Sequence, residues 1–372
     1  MANDSLGKAR AAKNDEFYTQ YADIEKEMSA YLEFDSDVFR DKVVLLPCDD
    51  PEWSNFTKYF AQNFEKLGLR KLISTSYAPD AKPKELNLQL SLFEQESPKF
   101  DKKKARANGR IFTLERDRNK DKKINFDDIE WDYLKGDGDF RSDEVKALRD
   151  EADIIVTNPP FSLFREFLSW VVDGEKKFVL IGNMNAITYK EVFPLIMRDE
   201  MWLGNGFQAG NAFFATPTTR DYAKGVFDKE TGLVKFRNAA WFTNLDHGRR
   251  HEPLQLMTKA ENKKFSRHKE VKGIGYRRYA NFDAIEVPFT DSIPSDHKGL
   301  MGVPISFLDK YSPDQFEIVG SCLTLAKPMS DIAEKGMYVQ GGPAFYLKSE
   351  DGTYERLYKR IVIRSRRGND EN

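Results

Sequence analysis

Asp153–Phe161 reads DIIVTNPPF, and its last four residues carry the densest chemistry in the chain. Ile154–Val156 is the short apolar run expected of a buried parallel strand. Asn158-Pro159-Pro160-Phe161 follows at the strand's carboxyl end, the edge where open α/β sheets bind ligands. Two consecutive prolines remove two backbone donors and fix φ, so the loop is stiff and turns its carbonyls outward. Asn158 Oδ1 and the Pro159 carbonyl can accept both hydrogens of an exocyclic amino group, and Phe161 can stack on the ring that bears it. Two acceptors drawing on those hydrogens favour a pyramidal nitrogen whose lone pair is available for attack. That stabilisation is realised mainly in the transition state, so it accelerates rather than merely binds. Asn-Pro-Pro also serves as a plain strand-ending turn. Its position between a buried strand and the amphipathic stretch Leu163–Val172 favours function.

Such a loop needs a sheet behind it. Strand candidates are Lys42–Pro47, Lys71–Ser76, Asp153–Thr157, Lys177–Gly182 and Ala239–Thr243. Helical stretches alternate with them: Ser54–Leu67, with Phe56, Tyr59, Phe60, Phe64 and Leu67 at helical spacing, then Leu163–Val172 and Lys190–Met197. This order predicts an α/β fold with a parallel sheet. Residues 78–125 form a charged insertion in which Arg110–Leu114 and Lys123–Phe126 read as a hairpin. The alternation fades after Leu245, which predicts a domain of residues 1–245 followed by a second region, 246–372.

At 372 residues the chain has room for about two domains. With 32% charged and 40% hydrophobic residues it has a globular composition. No apolar run approaches a membrane span, and residues 1–13 lack the apolar stretch of a signal peptide. Two cysteines, Cys48 and Cys322, give no disulfide framework and fit a reducing compartment, so a cytoplasmic protein is expected. Taken alone, a net charge of −2 argues against a polyanion partner, but its distribution reverses that reading. Lys99–Lys123 carries +7, Gly248–Tyr279 another +7 and Glu355–Arg367 a further +5, which leaves −21 for the remainder. Any one run is most simply a solvated face; three in one chain form the electrostatic footprint of a nucleic-acid binder.

DIIVTNPPFSLFRE resembles the S-adenosylmethionine-dependent amino-methyltransferases, most closely the EcoRI-type adenine-N6 DNA methyltransferases. The likeness continues in the same order through DEFYTQ (Asp15–Gln20), CDDP (Cys48–Pro51), GDGDFRS (Gly136–Ser142), ITYKEVF (Ile187–Phe193), WLG (Trp202–Gly204), DAI (Asp283–Ile285) and GVPISFL (Gly302–Leu308). The resemblance implies a Rossmann-like methyltransferase sheet with a C-terminal target-recognition region. It places Phe17, Tyr18 and Thr19 over the cofactor, where an N-terminal aromatic cap on the core is the alternative. It places Cys48, Asp49, Asp50 and Pro51 in the loop that holds the cofactor's methionine part, without choosing between the two aspartates. Asp139 would accept from the cofactor's adenine amino group and Phe140 would stack on that ring. The second strand ends Ser74-Thr75-Ser76-Tyr77, with no acid for the ribose, so that contact is unassigned.

The same resemblance implies double-stranded DNA as partner, with the target adenine flipped into the pocket. A restriction endonuclease sharing the site is a further implied partner, although no obligatory protein partner is evident. Arg249, Arg250, Arg277 and Arg278 are then candidates for phosphate or guanine contacts. Lys102 and Lys103, in the Lys102–Lys104 run, are candidates for a backbone clamp. Tyr276 and Tyr279 interleave with the arginines. His247 and His251 have helical metal-ligand spacing, but with four histidines in the chain they read as a surface or DNA-facing pair, and no metal is expected.

Three other classes compete. Methyltransferases acting on RNA adenine or on a protein glutamine amide share the Asn-Pro-Pro loop. A PD…DxK nuclease pattern is formally spelled by Pro79-Asp80 and Asp101-x-Lys103, yet Asp101–Lys104 is wholly polar where such a site needs an apolar core. A non-catalytic DNA-binding module has no use for Asn158–Phe161.

Overall fold

The computed structural model describes residues 18–47, 49, 54–78, 97–207, 211–216 and 225–366. The chain divides into two compact units, one reaching to His247 apart from Met197–Asp199, the other made of those three residues and the chain from Gly248.

The first unit is built on an eight-stranded sheet. Its strands are β2 (Val43–Leu46), β3 (Lys71–Ser76), β4 (Arg110–Leu114), β5 (Glu130–Tyr133), β6 (Ile154–Thr157), β7 (Lys177–Asn183), β8 (Trp202–Leu203) and β11 (Ala239–Thr243), in the order β5-β4-β3-β2-β6-β7-β11-β8. Strands β3, β2, β6 and β7 are parallel; β4, β5, β11 and β8 join antiparallel at the two sides. VVLL of β2 and IIVT of β6 are buried at every residue, as central parallel strands must be. From β2 the chain proceeds to β3 on one side, and from β6 to β7 on the other. The sheet therefore changes direction between β2 and β6, which opens a crevice at their carboxyl ends.

A small second sheet pairs β1 (Tyr18–Thr19), β9 (Asn211–Ala215) and β10 (Leu233–Arg237), with β9 in the middle and both neighbours antiparallel. Four helices of this unit matter below: α1 (Tyr21–Phe34), α2 (Asn55–Gln62), α3 (Asp143–Glu151) and α4 (Phe164–Asp173). The helix expected over Ser54–Leu67 is broken at Asn63, whose side-chain amide donates to Tyr59 O at 2.9 Å; a separate turn, Phe64–Leu67, follows and ends at Gly68 with φ of 65°. The helix expected over Lys190–Met197 begins only at Phe193.

The expected hairpin partner Lys123–Phe126 is not a strand. Arg110–Leu114 pairs instead with Glu130–Tyr133, so the second half of the predicted insertion belongs to the main sheet. The reason lies in the intervening turns, where aspartates compete for the backbone. Asp117 accepts from the amides of Lys120 and Lys122, and buried Asp128 accepts from those of Arg118, Asn119 and Asn125.

The second unit contains a four-stranded sheet, β12 (Ile285–Glu286), β13 (Met301–Pro304), β17 (Arg360–Ser365) and β14 (Phe316–Ser321) in that order, and a hairpin of β15 (Tyr346–Lys348) with β16 (Tyr354–Arg356). Helix α5 (Lys259–Phe265) carries a capping box between Thr258 and Glu261. A buried ion pair marks the core: Arg360 forks onto Glu286, with Nη2 at 2.7 Å from Oε1, and the Tyr279 hydroxyl donates to the same carboxylate.

Candidate active site

Thr157, the last residue of β6, and Asp49, two residues beyond Pro47 at the end of β2, meet at the switch point. Thr157 Oγ1 lies 2.6 Å from Asp49 Oδ2 and 2.9 Å from Pro47 O. The other carboxylate oxygen, Oδ1, accepts from Ser54 Oγ at 2.7 Å. Ser54 is also the N-cap of α2 and accepts from the amides of Phe56 and Thr57. The Asp49 carbonyl accepts from the hydroxyls of Ser74 and Thr57. Hydroxyls from β3, β6 and the start of α2 thus fix one buried aspartate at the carboxyl edge. Of the expected loop, Cys48, Asp50 and Pro51 lie outside the described residues, as does Phe17. Ser54, Thr57, Ser74 and Thr157 were missed, because a hydroxyl at a strand or helix end carries no distinctive sequence signal.

Asn158 follows Thr157 directly, half-buried, with Oδ1 shielded from solvent. Pro159 is buried; Pro160 begins a 3₁₀ turn, Phe161–Leu163, that leads into α4. The Phe161 ring lies 5.4 Å from Phe236 of β10 and 6.2 Å from Phe214 of β9, both tilted, in edge-type arrangements. These two phenylalanines also escaped the sequence reading, since they reach Phe161 from the small sheet. That sheet brings in β1 as well. Thr19 pairs with Phe214 and turns inward, with its carbonyl accepting from the Asn55 side chain of α2 at 2.8 Å; Tyr18 pairs with Ala215 and is half-buried.

The Gly136–Ser142 loop is brought against the end of β3 by backbone contacts alone. Gly138 has φ of 85°, and a side-chain carbon there would lie 2.5 Å from Ser76 O; one at Gly109 would lie 2.6 Å from the same oxygen. The amides of Ala78 and Gly109 donate to Asp137 O and Gly136 O. Asp139 is thereby set beside the β3 edge, with its carboxylate engaged by Arg141: Oδ1 takes the amide and Nε, and Oδ2 takes Nη2 at 2.6 Å. This fork orients the Asp139 carboxylate.

The stacking role expected of Phe140 is corrected. Its ring is 0% exposed and packs edge-on against Phe167 and Trp170 of α4 at 5.1 and 5.6 Å, so it presents no face to a ligand.

Do these residues suit the expected cofactor? Two buried hydroxyls, Thr19 Oγ1 and Ser76 Oγ, have no hydrogen-bond partner among the described residues. Buried polar atoms are rarely left so unless something polar completes them. Together with the Asp49 carboxylate and Asp139 they form a donor and acceptor set suited to an amino-acid head and a nucleoside. The residues fit.

The expected DNA contacts divide. In the first unit Lys102 and Lys103 are exposed, and the backbone amide of Lys103 is held by Asp101. His247 is not at the surface as expected; it is 2% exposed, with Nε2 at 3.0 Å from Leu203 O and its ring against Tyr31. In the second unit His251 pairs with Asp314. Arg250 is 7% exposed and paired with Asp199, which removes it from the DNA-facing set because its partner and burial make it structural. Arg249 pairs with Asp309 at 2.8 Å, Arg277 donates to Lys348 O, and Arg278 is exposed and paired with Asp283. Tyr276 donates to Ser292 O and Tyr279 is core, so neither is poised to stack.

Comparison with known proteins fits this geometry. Residues 5–366 match the family model described as "Adenine-specific methyltransferase EcoRI". The chain is 43% identical over 320 residues to Type II methyltransferase M.EcoRI of Escherichia coli, covering 85% of this chain and 89% of that one. It is 31% identical over 367 residues to Type II methyltransferase M.MpnI of Mycoplasma pneumoniae, covering 97% and 98%. M.MgeORF184P of Mycoplasma genitalium, another Type II methyltransferase, is 30% identical over 364 residues, covering 96% and 98%. No solved structure gives a significant match. The mixed sheet is thus the Rossmann-like sheet of a methyltransferase. This chain belongs to the EcoRI family of adenine-specific methyltransferases. Among the described residues no helix is long and apolar enough to cross a membrane.

Proposed function

We propose that the chain methylates N6 of adenine in double-stranded DNA, using S-adenosylmethionine, with the first unit catalytic and the second recognising the target. The observation that carries this reading is the direct succession of Thr157 and Asn158 at the end of β6, where one residue fixes Asp49 and the next opens the Asn-Pro-Pro-Phe loop.

Asp49, Asp139, Thr19 and Ser76 are the residues that would hold the cofactor; when bound, it supplies a methyl group on a positively charged sulfur. Asp49 pairs with the cationic amino-acid head. Asp139, oriented by Arg141, accepts from an amino group. Asn158 Oδ1 and the Pro159 carbonyl accept from the target amino group, directing its lone pair out of the ring plane. The methyl–sulfur bond would break as the nitrogen–carbon bond forms, leaving a neutral thioether, and the nitrogen would then shed one proton; the two acceptors would gain strength as positive charge develops on that nitrogen. Phe161, supported by Phe214 and Phe236, stacks on the extruded base, offsetting part of the few kcal/mol of unstacking. Tyr18 closes the site from β1. A restriction endonuclease that shares the recognition sequence is the protein partner this activity would protect DNA against.

The experiment is transfer of a labelled methyl group from S-adenosylmethionine to duplex DNA by the full chain, with digestion to nucleosides. Label in N6-methyladenine of DNA is expected. Label found instead only in RNA or in protein glutamine would overturn the proposal.

A further inference from the structure

The second unit holds an apolar tip on a basic surface that the candidate site does not use. Phe265, the last residue of α5, is 60% exposed and Ile274 is 63% exposed. One exposed apolar residue needs no special cause; here the two segments that carry them are tied together. The amide of Gly273 donates to Lys263 O at 2.8 Å, tying the turn that carries Ile274 to the last turn of α5. That turn is rigid. Val271 beneath it is 0% exposed, and its carbonyl accepts from the amides of Ile274 and Gly275. Gly273 and Gly275, with φ of 79° and 89°, bracket Ile274 and set it at the apex. Lys264 lies over the Phe265 ring, with Nζ 5.0 Å from its centroid. From Lys263 to Lys272 there are five basic residues and one acidic residue, and Lys263, Lys264, Lys269 and Lys272 are all exposed.

We infer that Phe265 and Ile274 are a groove-reading tip: Ile274 enters a DNA groove against base edges while the surrounding lysines rest on phosphates. The chemistry is complementary on both counts. Ammonium groups release counterions from the duplex, and an aliphatic tip gains contact with thymine methyl groups or with a base step that it opens. A preformed turn also loses little conformational freedom on binding.

This inference rests on the DNA reading above, and one experiment separates the two. The full chain, Ile274→Ser, Phe265→Ser and Lys272→Ala are compared for affinity, across several salt concentrations, on a duplex that the unaltered chain methylates and on a scrambled duplex. The serine variants should lose about 10-fold or more on the methylated duplex, little on the scrambled one, and keep the salt slope. Lys272→Ala should weaken both duplexes and reduce the slope by about one. All three positions are exposed, and circular dichroism will show the fold retained. If the serine variants bind and discriminate as the unaltered chain does, the tip has no reading role, while the methyltransferase assignment stands. If they alter only self-association, measured by sedimentation, the patch is an interface between copies and the inference falls. If the unaltered chain neither binds nor methylates duplex DNA, both readings fall together.

Discussion

Thr157 Oγ1 and Asp49 Oδ2 are 2.6 Å apart, so the strand that delivers Asn158 also holds the carboxylate expected to hold the cofactor. In the proposed site, nucleophile positioning and cofactor positioning would share one hydroxyl. Thr157→Val keeps the shape and removes that hydroxyl, leaving Asp49 short of a donor in a buried site at a cost of about 1–3 kcal/mol. Weaker S-adenosylmethionine binding is expected by calorimetry, with Thr157→Ser restoring it. Equal binding by the valine variant would show that the contact is only structural.

Asn158→Ala removes one of two acceptors for the target amino group. A loss of about 10²–10³-fold in the methyl-transfer rate is expected, by analogy with deletion of one transition-state hydrogen bond. Cofactor affinity should change little, and single-turnover kinetics with a parallel binding titration would measure both.

Phe161→Ala takes away the ring that packs on the Phe214–Phe236 pair and is proposed to stack on the target base. A fluorescent base analogue at the target position should then show incomplete extrusion and a raised KM for DNA. Normal extrusion and turnover would count against stacking.

In the second unit, Glu286 is buried and receives both Arg360 and Tyr279. Glu286→Ala leaves a buried guanidinium without its anion, which costs about 3–5 kcal/mol. Denaturant unfolding should register this in the second unit's transition, and target binding should fall with it.

Burial, with the neighbouring Tyr21 and the Glu25 charge, pushes the Tyr59 phenol on α2 up to about 12 from its ordinary 10.0. The folded state therefore keeps a proton that the unfolded chain releases near pH 10. This contribution to stability is complete below that pH and is lost as pH rises towards 12. Phenolate absorbance and unfolding free energy followed together over that interval would test it; Tyr59→Phe should flatten the dependence.

Strands that are almost wholly buried were legible in the sequence. Lys71–Ser76 and Ala239–Thr243 are strands to the residue as read, because a short run of such residues inside a sheet has few other fates. The Asn158–Phe161 loop was legible because its residue types are themselves the chemistry. Partnership was not. Nothing local tells Phe140 that two aromatic rings of α4 will enclose it, or Arg250 that Asp199 awaits it. The Lys123–Phe126 error has the same origin: a β-like composition lost to aspartates that accept backbone amides from a turn.

The small sheet joins Tyr18–Thr19 to strands ending at Arg237, and only through it do Phe214 and Phe236 reach Phe161. A chain emerging from the ribosome therefore completes Asn158 well before it has the aromatic wall beside it. Roughly two-thirds of synthesis must pass before the pocket has sides, so a truncated product carries the motif without the chamber. Chains stalled before β9 should leave Phe161 open to limited proteolysis, and chains released after β10 should protect it; equal cleavage in both would contradict this order of assembly.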